Sequence, residues 1–260
     1  MKPWARYGLD AAAGKAVSVA RALADLIWPP VSPLSGEDVP EPGALSPRDW
    51  TAVTFIDAPV CAKCGLPLPY PVGEGAWCAP CHARPPAYDA ARSAFVYDED
   101  SRALVLQLKH AGRTDTLKAF GRWMRRAGGP LVETADAIVP VPLHPSRLRK
   151  RRFNQSFLLA RTLSEASGVA LEPHALARTR RTSTQGGKSA RGRARNVAGA
   201  FKVRADAKDR LKGLRLILVD DVHTTGATLE ACARTLKRAG AADVTAITLA
   251  RVVKPVDPLK

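Results

Sequence analysis

Acidic side chains are scarce in this sequence of 260 residues: 24 Asp and Glu stand against 40 Lys and Arg, a formal surplus of +16. Such a chain seeks anions, whether nucleic acid, a membrane surface or a phosphorylated small molecule. Aromatic residues make up only 6%. Few of them fall near basic clusters (Phe153, Phe157 and Phe201), so a platform for stacking bases is not evident. No apolar run reaches the roughly 18 residues that a membrane-spanning helix needs. An apolar share of 46% is, however, too high for a disordered chain. Five cysteines are too few for a disulfide-stapled scaffold of this size. Residues 1–28 could be mistaken for an export signal, but Lys15, Arg21 and Asp25 break the apolar stretch. Val17, Leu23, Leu26 and Ile27 share one helical face, so the segment reads as an amphipathic helix and the chain as cytoplasmic.

The positive charge is local. Residues 144–204 hold fifteen Lys and Arg but only Glu165 and Glu172 as acids, which places +13 of the surplus there. Two clusters stand out, Arg147–Arg152 and the stretch from Arg178 to Arg195 that includes Lys188. They read either as solvated loop surface or as a funnel for a polyanion or pyrophosphate, and the concentration favours the funnel.

Three regions follow from composition. Residues 1–50 combine the N-terminal helix with a proline-rich, loop-like segment, residues 51–86 hold the paired cysteines, and residues 87–260 alternate strands with helices. Strands are predicted at 94–97, 136–143, 200–203, 214–221 and 244–252, and helices at 101–110, 117–126, 154–167 and 228–239. Alternation of this kind gives an α/β fold, a mostly parallel sheet flanked by helices. The run Leu216–Val219 fits a central strand buried on both faces.

Cys61-Ala-Lys-Cys64 and Cys78-Ala-Pro-Cys81 form two C-x-x-C knuckles thirteen residues apart. Four thiolates at that spacing close a tetrahedron round Zn²⁺, a zinc ribbon. A closed four-cysteine site leaves no position for substrate, so the zinc is structural. Two disulfides or four free thiols are the alternatives, and disulfides do not suit a chain without an export signal. Cys232, inside a predicted helix, reads as a small buried residue. Upstream, Ser32-Pro-Leu-Ser35-Gly36 and Ser46-Pro-Arg-Asp49 copy the layout of the knuckles with Ser and Asp in the ligand positions. If the repeat is real, that half does not hold zinc, and packing has to hold it instead.

The most informative stretch is 214–241. A buried strand delivers Asp220 and Asp221 to its carboxyl end, where ligand crevices form in parallel sheets. Adjacent carboxylates repel unless a cation or hydrogen-bond donors compensate them. Thr224, Thr225, Gly226, Ala227 and Thr228 follow, small and hydroxyl-bearing, before a helix whose first N–H groups can bind a phosphate. The pattern describes a pocket for a sugar phosphate. It lacks the G-x-x-x-x-G-K-[ST] of a P-loop and the glycine spacing of a dinucleotide-binding turn.

Asp220-Asp221-Val-His-Thr-Thr-Gly-Ala-Thr resembles the phosphoribosyl pyrophosphate motif of type I phosphoribosyltransferases. Residues 136–155 resemble the pyrophosphate-loop region of the ComF family, 185–201 its mobile arginine-bearing loop, and 108–112 a shorter signature. Arg152 stands where that family usually has glycine, and Lys188 and Gly192 interrupt the mobile-loop pattern. The resemblance implies a type I phosphoribosyltransferase-like domain behind a small N-terminal zinc ribbon. It implies that Asp220 and Asp221 bind the ribose hydroxyls, directly or through Mg²⁺, and that residues 224–228 hold the 5′-phosphate. The turn after Val139-Pro140-Val141-Pro142, with Arg147 and Arg152, would face the pyrophosphate, and Arg191, Arg193 and Arg195 would close over it. It also implies a role in DNA uptake, with single-stranded DNA and competence-machinery proteins as partners. The acceptor and the oligomeric state are not written in the sequence. His110 and His223 receive no acid–base role, because an exposed loop histidine is more often incidental. A non-catalytic DNA-uptake factor is the rival reading. A transcriptional regulator would need a helix-turn-helix signature, and none is visible.

Overall fold

In the computed structural model the described residues are 28–70, 73, 75–108, 116–180, 192 and 197–254. The helix expected before Trp28 lies outside them. A five-stranded sheet runs in the spatial order β1 (Ala91–Val96), β7 (Asp243–Arg251), β6 (Arg215–His223), β2 (Ala137–Pro140), β3 (Ala170–Leu171), and every neighbouring pair is parallel. A separate antiparallel pair joins β4 (Leu176–Arg178) to β5 (Phe201–Val203). The helices in chain order are α1 (Pro47–Ala52), α2 (Ala79–Ala83), α3 (Arg102–Gln107), α4 (Leu117–Gly128), α5 (Pro130–Glu133), α6 (Pro145–Arg151), α7 (Gln155–Ser167) and α8 (Ala227–Arg238).

Period-two alternation sends successive side chains of a strand to opposite faces of the sheet. In β6, Ile217 and Val219 join Leu104, Phe120, Met124, Leu159 and Leu163 from α3, α4 and α7. Leu216 and Leu218 join Leu229, Cys232 and Leu236 from α8 on the other face. Both faces are therefore covered, and Leu216, Ile217, Leu218 and Val219 are all buried. On the first face α4 meets α7 at Gly121, where an added Cβ would lie 2.5 Å from the carbonyl oxygen of Thr162. Gly121→Ala is expected to cost about 2 kcal/mol through that overpacking, read as a shift of the denaturation midpoint at unchanged slope.

Chain direction sets the site. The connection leaving β2 leads outward to β3, and the connection leaving β6 leads the opposite way to β7. The strand order reverses between β2 and β6, and their carboxyl ends flank the crevice that this reversal opens. Ligands of open parallel sheets bind at such a point.

The N-terminal segment wraps the free edge of β1. Ile56 donates its N–H to the Ala94 carbonyl (2.9 Å), Val96 donates to that of Thr54 (2.8 Å), and Phe55 pairs with Phe95 in antiparallel fashion. This pairing closes an edge that would otherwise invite another chain. Leu34, Leu45, Val53 and Phe55 pack on the α4 face, whereas the four paired cysteines, Leu66 and Leu68 pack on the α8 face.

Candidate functional site

The acid pair occupies the last turn of β6 beside the crevice. Ser156, in the first turn of α7, donates its hydroxyl to Asp220 Oδ1 (2.9 Å), and the Asp221 N–H donates to the same oxygen (3.0 Å). Asp221 accepts at Oδ1 from the Val222 N–H (2.7 Å). Burial, with the Asp221 charge adding to it, pushes the Asp220 carboxyl up to about 7. A bound cation relieves both penalties, and a carboxylate pair is the oxygen donor set that Mg²⁺ prefers to share with phosphate oxygens.

One side chain ties the neighbouring loop to this pair. Asn154 caps α7 by accepting from the Ser156 N–H (3.1 Å), and its amide donates to the Val141 carbonyl (3.0 Å). Val141 in turn donates its N–H to the Val219 carbonyl (2.9 Å), so the turn containing Pro142 is held against β6. The basic cluster after it, which charge alone left open between loop surface and an anion funnel, is a helix, α6. Pro145 starts it, and the His144 Nδ1 accepts from the Ser146 N–H (3.2 Å) as its cap. Arg147 sits in the first turn of α6, while Arg152 is exposed at its other end.

Arg178, like Ser156 and Asn154, is a residue that the sequence alone did not place in the site. It ends β4 opposite Phe201 of β5, and its guanidinium lies 5.2 Å from the Phe201 ring centre. Burial, and then the Arg147 cation, lower its pKa, while Cys232 and Asp220 act in the opposite sense. Arg178 is thus within electrostatic range of both Arg147 and Asp220. The usable signal was a run of small residues with one arginine in a strand-like Leu176–Arg178, whose partner strand lies more than twenty residues away.

Thr224, Thr225 and Gly226 form the turn into α8, with Thr224 exposed and Ala227 and Thr228 in the first helical turn. Gly226 has φ +72°, a left-handed conformation that glycine adopts without penalty. His223, expected as an exposed loop residue, is instead the last residue of β6 and is buried. Burial, and then the Arg251 cation, push its pKa down to about 3, so the ring is neutral and no proton carrier at ordinary pH.

The four paired cysteines are buried, and their sulfurs all lie within 4.8 Å of one another. Zn–S bonds of about 2.3 Å in a tetrahedron require sulfurs about 3.8 Å apart, and Cys64 and Cys78 are 3.6 Å apart. Cys61 accepts from the N–H groups of Cys64 (3.5 Å) and Cys78 (3.2 Å). Those backbone amides, opposing burial, bring its thiol down to about 7. Burial drives Cys64 the other way, up to about 11, and raises Cys81 further. Four thiolates in one buried spot thus demand a divalent cation, and no two of the cysteines are bonded to each other. The donor set fits structural zinc.

Upstream, the copied layout is real. Gly36 donates to the Ser32 carbonyl (3.0 Å) as Gly65 does to that of Cys61 (2.8 Å). Ser32 donates to the Glu37 carbonyl (2.7 Å) as Cys61 does to that of Leu66 (2.8 Å). Ser46 caps α1 where Cys78 caps α2. In place of a metal stands the buried carboxylate of Asp49. Its Oδ2 accepts from the hydroxyl of Ser32, the hydroxyl of Ser35 (2.7 Å) and the N–H of Ser35 (3.0 Å). The Ser46 hydroxyl accepts from the Asp49 N–H (3.2 Å), and that of Ser32 accepts from the Ser46 N–H (3.1 Å). Packing was the expected substitute for zinc. An aspartate-centred hydrogen-bond hub is what these four positions build, and three hydroxyls with one carboxylate do not fit Zn²⁺.

Over 201 residues the chain is 36% identical to the DNA utilization protein YhgH of Salmonella typhimurium, spanning 75% of this chain and 85% of that protein. It is 30% identical over 198 residues to Competence protein F of Haemophilus influenzae, spanning 74% of this chain and 85% of that protein. The chain belongs to the ComF family. Residues 154–258 match the phosphoribosyl transferase domain and residues 23–83 the double zinc ribbon domain. Among solved structures, orotate phosphoribosyltransferase from Aeropyrum pernix is similar at 16% identity and a TM-score of 0.34, over 61% of this chain and 80% of that one.

Within this ComF-family chain the expected residues divide. Asp220, Asp221, the 224–228 turn, the Pro142 turn and Arg147 gather at the crevice. Arg152 contributes no contact to the acid pair among the described residues. Arg191, Arg193 and Arg195 lie outside the described residues, as do Lys188 and His110. The departure expected at Arg152 has a physical consequence: among the described residues it is the non-glycine residue with positive φ, +65°, a conformation that suits glycine. Arg152→Gly is therefore expected to raise stability by up to about 1 kcal/mol, since the left-handed conformation costs a Cβ-bearing residue that much. A matched pair of denaturation curves checks it.

Proposed function

We propose that this ComF-family chain binds phosphoribosyl pyrophosphate with Mg²⁺ at the β2–β6 crevice and serves DNA uptake in the cytoplasm. The observation that carries the reading is the acid pair at the reversal of strand order, braced by Ser156 and flanked by a small-residue turn and by Arg178 and Arg147. In this reading Asp220 and Asp221 take the ribose hydroxyls and, with phosphate oxygens, would hold Mg²⁺. The 224–228 turn takes the 5′-phosphate, with the N-terminal N–H groups of α8 aimed at it. Arg178 and Arg147 face the pyrophosphate, joined by the arginines of 191–195. Positive charge developing at the ribosyl C1 as its bond to pyrophosphate opens is stabilised by the acid pair, and the arginines stabilise the departing anion. Bound Mg²⁺ would supply further neutralisation of that leaving group.

Isothermal titration with phosphoribosyl pyrophosphate and Mg²⁺ tests the reading. Wild type is expected to give a saturable heat, and Asp220→Asn/Asp221→Asn to weaken binding at least about 100-fold. A wild-type chain without heat, or a double variant that binds as before, removes it. The names of the relatives, DNA utilization protein and competence protein, support the DNA-uptake role, and the fifteen basic residues of 144–204 favour a second reading in which single-stranded DNA binds that segment. Gel shifts that weaken steeply with salt are expected there. A salt-independent shift, or none, counts against direct binding.

A further inference from the structure

The zinc ribbon and the phosphate turn are joined by one buried chain of polar contacts. Arg251 ends β7 and is 7% exposed. Its Nη1 donates to the Cys64 carbonyl (2.7 Å) and to His223 Nδ1 (2.8 Å), and its Nη2 reaches the Cys64 Sγ (3.5 Å). Cys64 is a zinc ligand in the four-cysteine site, and His223 pairs in register with Arg251 across β6 and β7. A guanidinium only donates, so His223 Nδ1 is the acceptor and the neutral ring carries its proton on Nε2. That Nε2 lies 3.4 Å from the Tyr88 hydroxyl, and the two rings meet edge to face at 6.0 Å.

The same ring supports the turn. A Cβ added at Gly226 would stand 2.9 Å from His223 Nε2 and 3.3 Å from the Tyr88 hydroxyl. The turn therefore rests directly on the imidazole, with no room for a side chain between them. Four thiolates round one Zn²⁺ carry net negative charge, which a buried guanidinium at the Cys64 knuckle offsets. Arg92 does the same from the other side, donating to the carbonyls of Ala62 (3.1 Å) and Ala91 (2.8 Å). The metal fixes the knuckle, the knuckle fixes Arg251, and Arg251 fixes the ring beneath the turn.

We infer that Arg251 and His223 are positioning residues through which zinc in the ribbon holds the Thr224–Gly226 turn in its anion-binding shape. This rests on the crevice being the phosphoribosyl pyrophosphate site. The ribbon then does more than stabilise the N-terminal region: metal occupancy sets ligand affinity through two side chains, Arg251 and His223, without a zinc-bound water or any chemistry at the metal.

Hydrogen–deuterium exchange on the full chain tests the link without a ligand. In zinc-loaded Arg251→Met, amides 223–228 are expected to exchange roughly 10-fold faster than in wild type, while zinc stays at one per chain and the α4–α7 amides are unchanged. Arg251→Lys, which keeps the charge but reaches fewer acceptors, is expected to fall between. Chelation is expected to speed the same amides in wild type and add little in Arg251→Met. Titration with phosphoribosyl pyrophosphate and Mg²⁺ should weaken as well, by as much as the fraction of chains with the turn in its binding shape falls. Unchanged protection of the turn in zinc-loaded Arg251→Met, or equal effects of chelation in both proteins, overturns the inference. A wild type that binds no phosphoribosyl pyrophosphate sinks the proposed function alone, because exchange still reports the coupling.

Discussion

Stripping zinc from the folded chain is expected to unfold residues 59–83 and leave residues 30–53 ordered. In the second ribbon, strand-like contacts are few and α2 has only five residues, Ala79–Ala83. Structural zinc supplies about 10 to 16 kcal/mol to such small units, which is their folding free energy. Hydrogen bonds from the rest of the chain, among them the Ala91 N–H to the Lys63 carbonyl (2.9 Å), Arg92 to the Ala62 carbonyl and Arg251 to the Cys64 carbonyl, dock a knuckle that the metal has already shaped. The first ribbon has no such dependence. Its Ser32–Ser35–Ser46–Asp49 hub is metal-free, and Trp50 and Phe55 pack with Trp123 of α4, at 6.3 Å and 5.2 Å between ring centres. Chelation followed by exchange or limited proteolysis should therefore open only one of two ribbons with the same layout. Simultaneous opening of both would show that the hub does not hold alone.

Four of the sheet's five strands were legible because they are apolar runs between turn residues; two-residue β3 was not, and the strand expected at 200–203 pairs with β4 outside the sheet. Leu216–Val219 was recognisable as a central strand, and it is buried on both faces. The helix expected at 117–126 forms as Leu117–Gly128, and that expected at 154–167 as Gln155–Ser167 with Asn154 as its cap. Helix α6 escaped notice because Arg147, Arg149 and Arg151 leave it no apolar stripe. What marks it is local: Pro145 in the first turn and a histidine cap.

The site was legible in proportion to how local its parts are. Asp220, Asp221 and the turn that follows sit within nine consecutive residues, so their pattern could be read directly. Ser156 and Asn154 reach the same crevice from α7 because β2 and β6 are neighbours, a pairing that no single stretch announces. Arg178 needed the β4–β5 pairing, and the roles of His223 and Arg251 needed the register of β6 against β7. The Ser–Asp copy of the cysteine layout was visible only by laying one knuckle over the other. The sequence could show that zinc was lost there but not that a carboxylate had taken over its place at the centre.

Asp49→Ala is expected to open the first ribbon at a cost of about 1 to 3 kcal/mol, the loss of one buried hydrogen-bond acceptor. Three donors converge on Oδ2, from Ser32, Ser35 and the Ser35 backbone. Removing the acceptor leaves the buried Ser32 hydroxyl without its partner, at about 1 to 3 kcal/mol, while the donors of exposed Ser35 turn to water. Asp49→Asn keeps the shape but turns acceptor capacity into donors facing donors, so it should recover only part of the loss. Acid has the same effect as the substitution. Burial by itself would raise the Asp49 pKa, but hydrogen bonds from Ser32 and Ser35 and the contact with Ser46 outweigh it and hold the carboxyl below its usual range. A depressed native pKa gives stability that is present above the ordinary carboxylate range and disappears as the pH falls through the native value. Stability of wild type relative to Asp49→Asn, followed by exchange at residues 30–53, should therefore be constant at neutral pH and shrink as acid reaches that value. A difference that stays flat into strong acid would mean the carboxylate is not what holds the ribbon closed.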